Sequence, residues 1–389
     1  MKVKKHFLFC PGPVNIAANV KDAVQNEIGH RESEFSQLLG NINSKLLELY
    51  EIRDTKEYHP VVITGSGTAV NEAVLSSLPG DLHILVLSNG EFGERLYDIS
   101  KIHNKNTKIL KFDWAENLDL ERIEKYIKRN RVDVVAMVHH ETSTGMLNPL
   151  EKVGLITKKY NKMFFVDSIS SAGAEKIDLE KANVAFCTGT AGKAIGSLPG
   201  VAFVIGKKEE FEKLKDVPAK TAYLNLYNFY RYSTQFSQTP NTPAVQLYFA
   251  FNQALTNVLN EGIAKRRKHI DDMTQILRTG LKKLGLSFLI DEEHMSSVLT
   301  TVKLPNSVEF EKLKQHLRER NIIVYNGKGP FLNKVFQVGN IGAINKDNVE
   351  FFLRNLEEVL QQIQKDKDDK LAIPIRNINL QDPVLFGTL

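Results

Sequence analysis

Short, almost continuously apolar runs recur along this chain, each ending in small or polar residues, with helical periodicity between them. Val61-Val62-Ile63 runs into Thr64-Gly65-Ser66-Gly67-Thr68, and residues 83–87 run into Ser88-Asn89-Gly90. Residues 132–138 end at His139-His140-Glu141-Thr142, and Met163-Phe164-Phe165-Val166 ends at Asp167. Val184-Ala185-Phe186-Cys187 leads into Thr188-Gly189-Thr190-Ala191-Gly192-Lys193, and a further run over 200–205 follows. Runs without polar alternation predict strands buried on both faces, hence a mostly parallel sheet. With helices predicted between them, for instance over 71–78 and 150–160, the pattern reads as a doubly wound α/β domain. Such sheets place ligands beyond the carboxyl ends of their strands. The polar residues named above all follow a strand, so they are expected to converge on one crevice.

After about residue 255 the texture changes. One long helix is predicted over 256–284, then a strand over 296–302, a helix over 309–320, short strands over 322–325 and 334–339, and a closing helix over 348–363. This reads as a smaller α+β unit. With 389 residues the chain has room for both. The formal net charge of +5 is dispersed, and no basic run is interleaved with aromatics, which argues against nucleic-acid binding. Two cysteines, Cys10 and Cys187, make no disulfide framework, so a reducing, cytoplasmic setting is expected. No apolar stretch has signal-peptide or membrane-span character.

Three features then carry chemistry. Ser66-Gly67-Thr68 opens an amphipathic helix, and free backbone N–H groups at such a terminus bind a phosphate dianion. Asp167 ends a strand, placed to hold a ring nitrogen protonated. Lys193, in a small-residue loop after the next strand, supplies an amine for a Schiff base. Lysine, aspartate and phosphate turn are the three anchors of a pyridoxal 5′-phosphate site. Each has an ordinary alternative: a capped helix, a helix-capping aspartate, a surface lysine. Their order and contexts together are far more specific. No G-x-G-x-x-G follows the first strand and no Walker lysine is present, so a nicotinamide or P-loop reading fails, and no metal site is expected.

The chain resembles the class V aminotransferases, pyridoxal-phosphate enzymes of fold type I, over roughly residues 7–363. The resemblance rests on Pro11-Gly12-Pro13, Gly65-Ser66-Gly67-Thr68, the stretch from His139 to Pro149, Val166-Asp167-Ser168, Lys193 with Pro199-Gly200, Tyr325-Asn326-Gly327-Lys328, and Gly339-Asn340-Ile341-Gly342. Within the family it is closest to the 2-aminoethylphosphonate–pyruvate transaminase branch, with the alanine–glyoxylate branch further off. The resemblance implies a large cofactor-binding α/β domain over 15–255, a small α+β domain from 1–14 and 256–363, and a tail or linker over 364–389. Lys193 then resembles the Schiff-base lysine and proton carrier, and Asp167 the pyridinium partner. Phe92 would stack on the cofactor ring, Thr142 or Ser143 would meet its hydroxyl or face, and Ser66, Gly67, Thr68 and Thr190 would hold its phosphate. A neighbouring copy of the chain would complete the phosphate cup through Thr239 and Thr242, implying a homodimer.

Two departures bear on substrate. Where relatives carry an arginine that forks the substrate carboxylate, this chain reads Phe336-Gln337-Val338-Gly339, and a glutamine cannot make a charge-assisted bidentate pair. Lys328, Lys334, Arg231 or Arg31 are candidate replacements. Gly192 stands where relatives have a polar side chain, which predicts one lost phosphate contact and open space beside the cofactor. The expected activity is a ping-pong transaminase moving an amino group between 2-aminoethylphosphonate (or phosphonoacetaldehyde) and pyruvate (or alanine). An alanine–glyoxylate-type or other small-amine transaminase, and a lyase or decarboxylase on the same cofactor, are the alternatives that Gln337 motivates. A non-catalytic scaffold has no chemical need for Lys193.

Overall fold

A computed structural model describes residues 5–371 of the protein. Its centre is a seven-stranded sheet in the order Tyr58–Thr64, Val201–Lys207, Phe186–Thr190, Met163–Asp167, Val134–Val138, Ile84–Ser88, Lys108–Lys111. Alternate residues of each strand face opposite layers. Val135 and Met137 join one apolar cluster with the helices Ser33–Leu49 and Val245–Glu261. Val134, Ala136 and Val138 join another with the helices Gly67–Ser77, Glu91–His103 and Leu226–Phe236. Both faces being covered, the strands need apolar residues at every position, which is why they appear in the sequence as unbroken runs.

The sheet is mixed rather than parallel throughout. Val201–Lys207 runs antiparallel to both its neighbours, Tyr58–Thr64 and Phe186–Thr190, whereas the other four pairings are parallel. Phe186–Thr190 and Val201–Lys207 therefore form a hairpin whose long loop, residues 191–200, carries Lys193. The edge strand Lys108–Lys111 has an exposed lysine at each end, so its sequence lacks the buried-run signature.

The carboxyl-terminal part holds a three-stranded antiparallel sheet, ordered Leu299–Lys303, Val335–Gly339, Tyr325–Asn326. The helices Ile263–Lys283, Phe310–Glu319 and Lys346–Leu371 pack on it around Leu277, Leu313, Phe336 and Phe352, all fully buried. Each such side chain contributes about 1.5–3 kcal/mol. The strand Phe7–Leu8 pairs in parallel with Ile322–Ile323, tying the amino-terminal segment to this part.

The single long helix expected over 256–284 is two helices, because Gly262 (φ +86°) breaks the chain between Val245–Glu261 and Ile263–Lys283. A left-handed backbone there is open to glycine without a side-chain clash. The closing helix extends through Leu371, past the point where the tail was expected to begin; residues 372–389 lie outside those described. No helix among the described residues is long and apolar enough to cross a membrane.

Candidate active site

The strand ends open onto a cavity of about 350 Å³, lined among others by Ser66, Gly67, Thr68, Phe92, His140, Asp167 and Lys193. Gly12 and Pro13 of the amino-terminal segment also line it.

Lys193 Nζ donates to Ser170 Oγ at 2.7 Å. Burial pushes its ammonium down to about 8; Asp167 opposes this shift, and Lys328 and Arg95 add to it. At pH 7 roughly a tenth of the side chain is then the neutral nucleophile, against about 0.03% for an ordinary lysine. Cofactor capture by the apoprotein is expected to speed up about tenfold per pH unit until it levels near pH 8. Stopped-flow mixing with pyridoxal 5′-phosphate from pH 6 to 9.5 measures this, and a flat profile would contradict the shifted amine.

Asp167 is buried, and desolvation raises its pKa against the hydrogen bonds it accepts. Those come from Asn71 Nδ2 (2.6 Å) and the Ile169 backbone N–H (2.9 Å). Asn71 is itself oriented, since its Oδ1 accepts from Thr188 Oγ1 at 2.6 Å. The chain Thr188–Asn71–Asp167 thus fixes which way the carboxylate faces.

Ser66 is the N-cap of the helix Gly67–Ser77, yet its side chain makes no capping bond. Its hydroxyl and the first N–H groups of the helix remain for an anion. Thr190 also lines the cavity, with its hydroxyl donated to the Val201 carbonyl at 3.1 Å. The room expected beside Gly192 is filled: a Cβ there would lie 2.9 Å from Pro199 Cα. The glycine lets the 191–200 loop fold tightly on itself.

Phe92 sits in the first turn of Glu91–His103. Its N–H and that of Gly93 donate to Glu141 Oε2 at 3.1 and 3.0 Å, and Ser143 donates to Oε1 through both its N–H and its hydroxyl. A fully buried carboxylate so caps the helix that presents Phe92. Gly90 makes this possible, because a Cβ there would stand 2.5 Å from Glu141 Cδ and Ser143 Oγ. Gly90→Ala is expected to cost about 1–3 kcal/mol by overpacking and to weaken cofactor binding; urea denaturation and cofactor titration measure the two effects.

Two cations flank Phe92. The Arg95 guanidinium lies 4.7 Å and Lys328 Nζ 4.8 Å from the ring centroid. Both also bond Glu91 Oε1, at 2.9 and 2.8 Å.

Other expected residues stand elsewhere. Gln337 is buried and donates from Nε2 to the Thr142 carbonyl; neither it nor Thr142 lines the cavity. Arg31 does not reach the cavity either: Nη1 donates to the Thr239 carbonyl at 2.8 Å and Nη2 to the Pro240 carbonyl at 3.4 Å. Arg231 bonds Asn228 and lies over Tyr232. Thr239 is buried with its hydroxyl on the Asn241 carbonyl, Thr242 is exposed, and both lie outside this chain's own cavity. Asn71, Arg95, Glu141 and His140 are the residues that sequence reasoning left without a role.

The Aminotransferase class-V family model matches residues 15–339, and the chain belongs to that family. It is 31% identical over 365 residues to an uncharacterized aminotransferase of Methanocaldococcus jannaschii, covering 92% of this chain and 94% of that protein. A 2-aminoethylphosphonate–pyruvate transaminase of Phocaeicola vulgatus is 29% identical over 92% of this chain and 99% of its own length. Among solved structures, an alanine–glyoxylate aminotransferase from Nostoc sp. superposes with a TM-score of 0.87 at 29% identity, over 92% of this chain and 96% of that one. The protein is a fold-type I transaminase. Its cofactor is pyridoxal 5′-phosphate, and its substrates are small amino and keto compounds. The cavity fits that cofactor by its own chemistry: a buried carboxylate, a buried amine of lowered pKa and an uncapped helix start all face it.

Proposed function

We propose that the protein transfers an amino group between 2-aminoethylphosphonate (or phosphonoacetaldehyde) and pyruvate (or alanine). The observation that carries this reading is the cation pair at Phe92, Arg95 and Lys328. A tetrahedral phosphonate dianion is well served by a point charge such as Lys328, with Arg95 beside it, once Glu91 releases them. The 29% identity to a 2-aminoethylphosphonate–pyruvate transaminase supports the same substrate.

Bound in the cavity, the cofactor supplies an electron sink for the carbon that bears the donor amine. Asp167 holds the proton on its ring nitrogen, and the 66–68 turn holds its phosphate. Lys193 Nζ, steered by Ser170 Oγ, takes the proton from the donor carbon. Gly12 and Pro13 of the amino-terminal segment line the same cavity beside Lys193. A second copy of the chain completes the phosphate cup with Thr239 and Thr242. Supporting this, the 239–242 segment does not line its own cavity, and Arg31 braces the Thr239 and Pro240 carbonyls.

The test is a single-turnover spectrum. Holoenzyme mixed with 2-aminoethylphosphonate, and separately with alanine, is expected to exchange its visible cofactor band for the band of the aminated cofactor. Lys328→Ala is expected to raise the concentration of 2-aminoethylphosphonate needed by about tenfold or more. Conversion with neither amine would overturn the substrate assignment.

A further inference from the structure

We infer that Arg266 is a positioning residue for the transamination: it holds the Lys193 loop against the turn that follows Asp167, and so sets where the Lys193 amine stands. Arg266 does not line the cavity and acts only through what it holds. The inference rests on Lys193 as the amine that joins the cofactor, and not on the identity of the amino donor.

The break at Gly262 creates the clamp. Glu261 ends one helix and Arg266 stands in the first turn of the next, so the carboxylate reaches across the break to Nη1 at 3.0 Å. With that edge of the guanidinium neutralised, Nε donates to the Gly173 carbonyl at 3.1 Å and Nη2 donates to the Ala194 carbonyl. Among the described residues, no other donor meets either carbonyl. Ala194 is fully buried, so its carbonyl depends on Arg266 for a partner. A planar fork serves two acceptors in fixed directions, which the freely rotating ammonium of a lysine does not.

The two segments so joined carry the reacting groups. Ala194 follows Lys193, and Gly173 lies in the turn that holds Ser170, the acceptor of the Lys193 amine. The segments touch: a Cβ on Gly173 would lie 2.9 Å from Ile195 Cγ1. One turn further along the same helix, Ile270 shares an apolar cluster with Ala174 and Ala194. Residues four apart lie on one helix face, so the polar and apolar grips fall on the same pair of segments. The loop's own bonds, from the Gly196 N–H to the Lys193 carbonyl and from the Ser197 N–H to the Ala191 carbonyl, fix its shape. Arg266 fixes its distance from the turn. The backbone at 194 is thereby held still while the Lys193 side chain is free to leave the cofactor and reach the donor carbon.

The experiment needs no substrate, so its outcome is independent of the donor assigned above. Pyridoxal 5′-phosphate must be captured by Lys193, whereas pyridoxamine 5′-phosphate uses the same ring and phosphate partners without bonding the lysine. The capture rate of the first by apoprotein is measured by stopped flow, and the dissociation constant of the second by equilibrium dialysis. Arg266→Ala is expected to slow capture by about tenfold or more and to leave the pyridoxamine phosphate constant within about twofold of wild type. An unchanged capture rate, or a loss of pyridoxamine phosphate affinity as large as the loss in capture rate, would overturn the inference. Lys193→Ala is run beside it. Capture at the wild-type rate in that variant overturns the role of Lys193 and this inference with it; lost capture there with full capture in Arg266→Ala overturns this inference alone. If alanine prevents folding, Arg266→Met fills the same space without a donor and is judged by the same two measurements.

Discussion

Lys193→Ala is expected to lower turnover by at least about 10⁴-fold while leaving the chain folded. The amine both joins the cofactor and carries the proton, so removing it deletes two roles that act as a unit. The fold is expected to survive because the side chain ends in one hydrogen bond, to Ser170 Oγ, and its burial works against the charged form. A multiple-turnover assay with donor and acceptor in excess, run beside a thermal melt, measures both parts. Activity within tenfold of wild type in a folded variant would remove Lys193 from the mechanism. Methylamine added to the alanine variant is expected to restore a fraction of the proton transfer, because the deleted side chain leaves room for it.

Asp167→Asn is expected to cost about 10²–10³-fold in turnover, the usual scale for losing one preorganised electrostatic partner. The asparagine is near-isosteric and can keep the Ile169 contact, so geometry is largely preserved. What is lost is the negative charge that keeps a proton on the ring nitrogen. Burial raises the pKa of Asp167 against the Asn71 and Ile169 hydrogen bonds it accepts, and the asparagine carries no charge at all. The variant should therefore bind cofactor more weakly and show an altered visible band, and an unchanged band together with unchanged turnover would contradict the role. Asn71→Ala should reproduce a smaller part of the same defect, since it only releases the carboxylate from one donor.

The parts of the site visible in the sequence are those whose signal is local. Lys193 stands in a small-residue loop directly after an apolar run, and Asp167 ends another. Ser66-Gly67-Thr68 opens a helix with a clear apolar face. The parts that were not visible depend on contacts between distant segments. Glu141 acts on Phe92 across 49 residues and Asn71 on Asp167 across 96, and nothing around Glu141 or Asn71 announces it. His140 sits inside a quoted motif, yet only the packing shows that Nδ1 is occupied and Nε2 is not. Arg31 shows the same dependence on distant segments: its charge suggested a substrate contact, and the Thr239 and Pro240 carbonyls hold its guanidinium outside this chain's own cavity. In the fold, the runs located the buried strands but not their directions. Val201–Lys207 is as apolar as the strands that pair in parallel, and only the hairpin through residues 191–200 makes it run backwards.

The cavity wall is assembled from points scattered between Gly12 and Gly200. Half of this chain must therefore be in register before the cofactor meets all its partners, and a partly folded intermediate offers it no complete seat. Loading is then a late event in biogenesis, and free cofactor acts as a pharmacological chaperone: it withdraws completed molecules from the unfolding equilibrium, by about 2.7 kcal/mol at a hundredfold excess over its dissociation constant. Cofactor occupancy is accordingly a readout of finished assembly, and free cofactor is expected to raise the folded fraction.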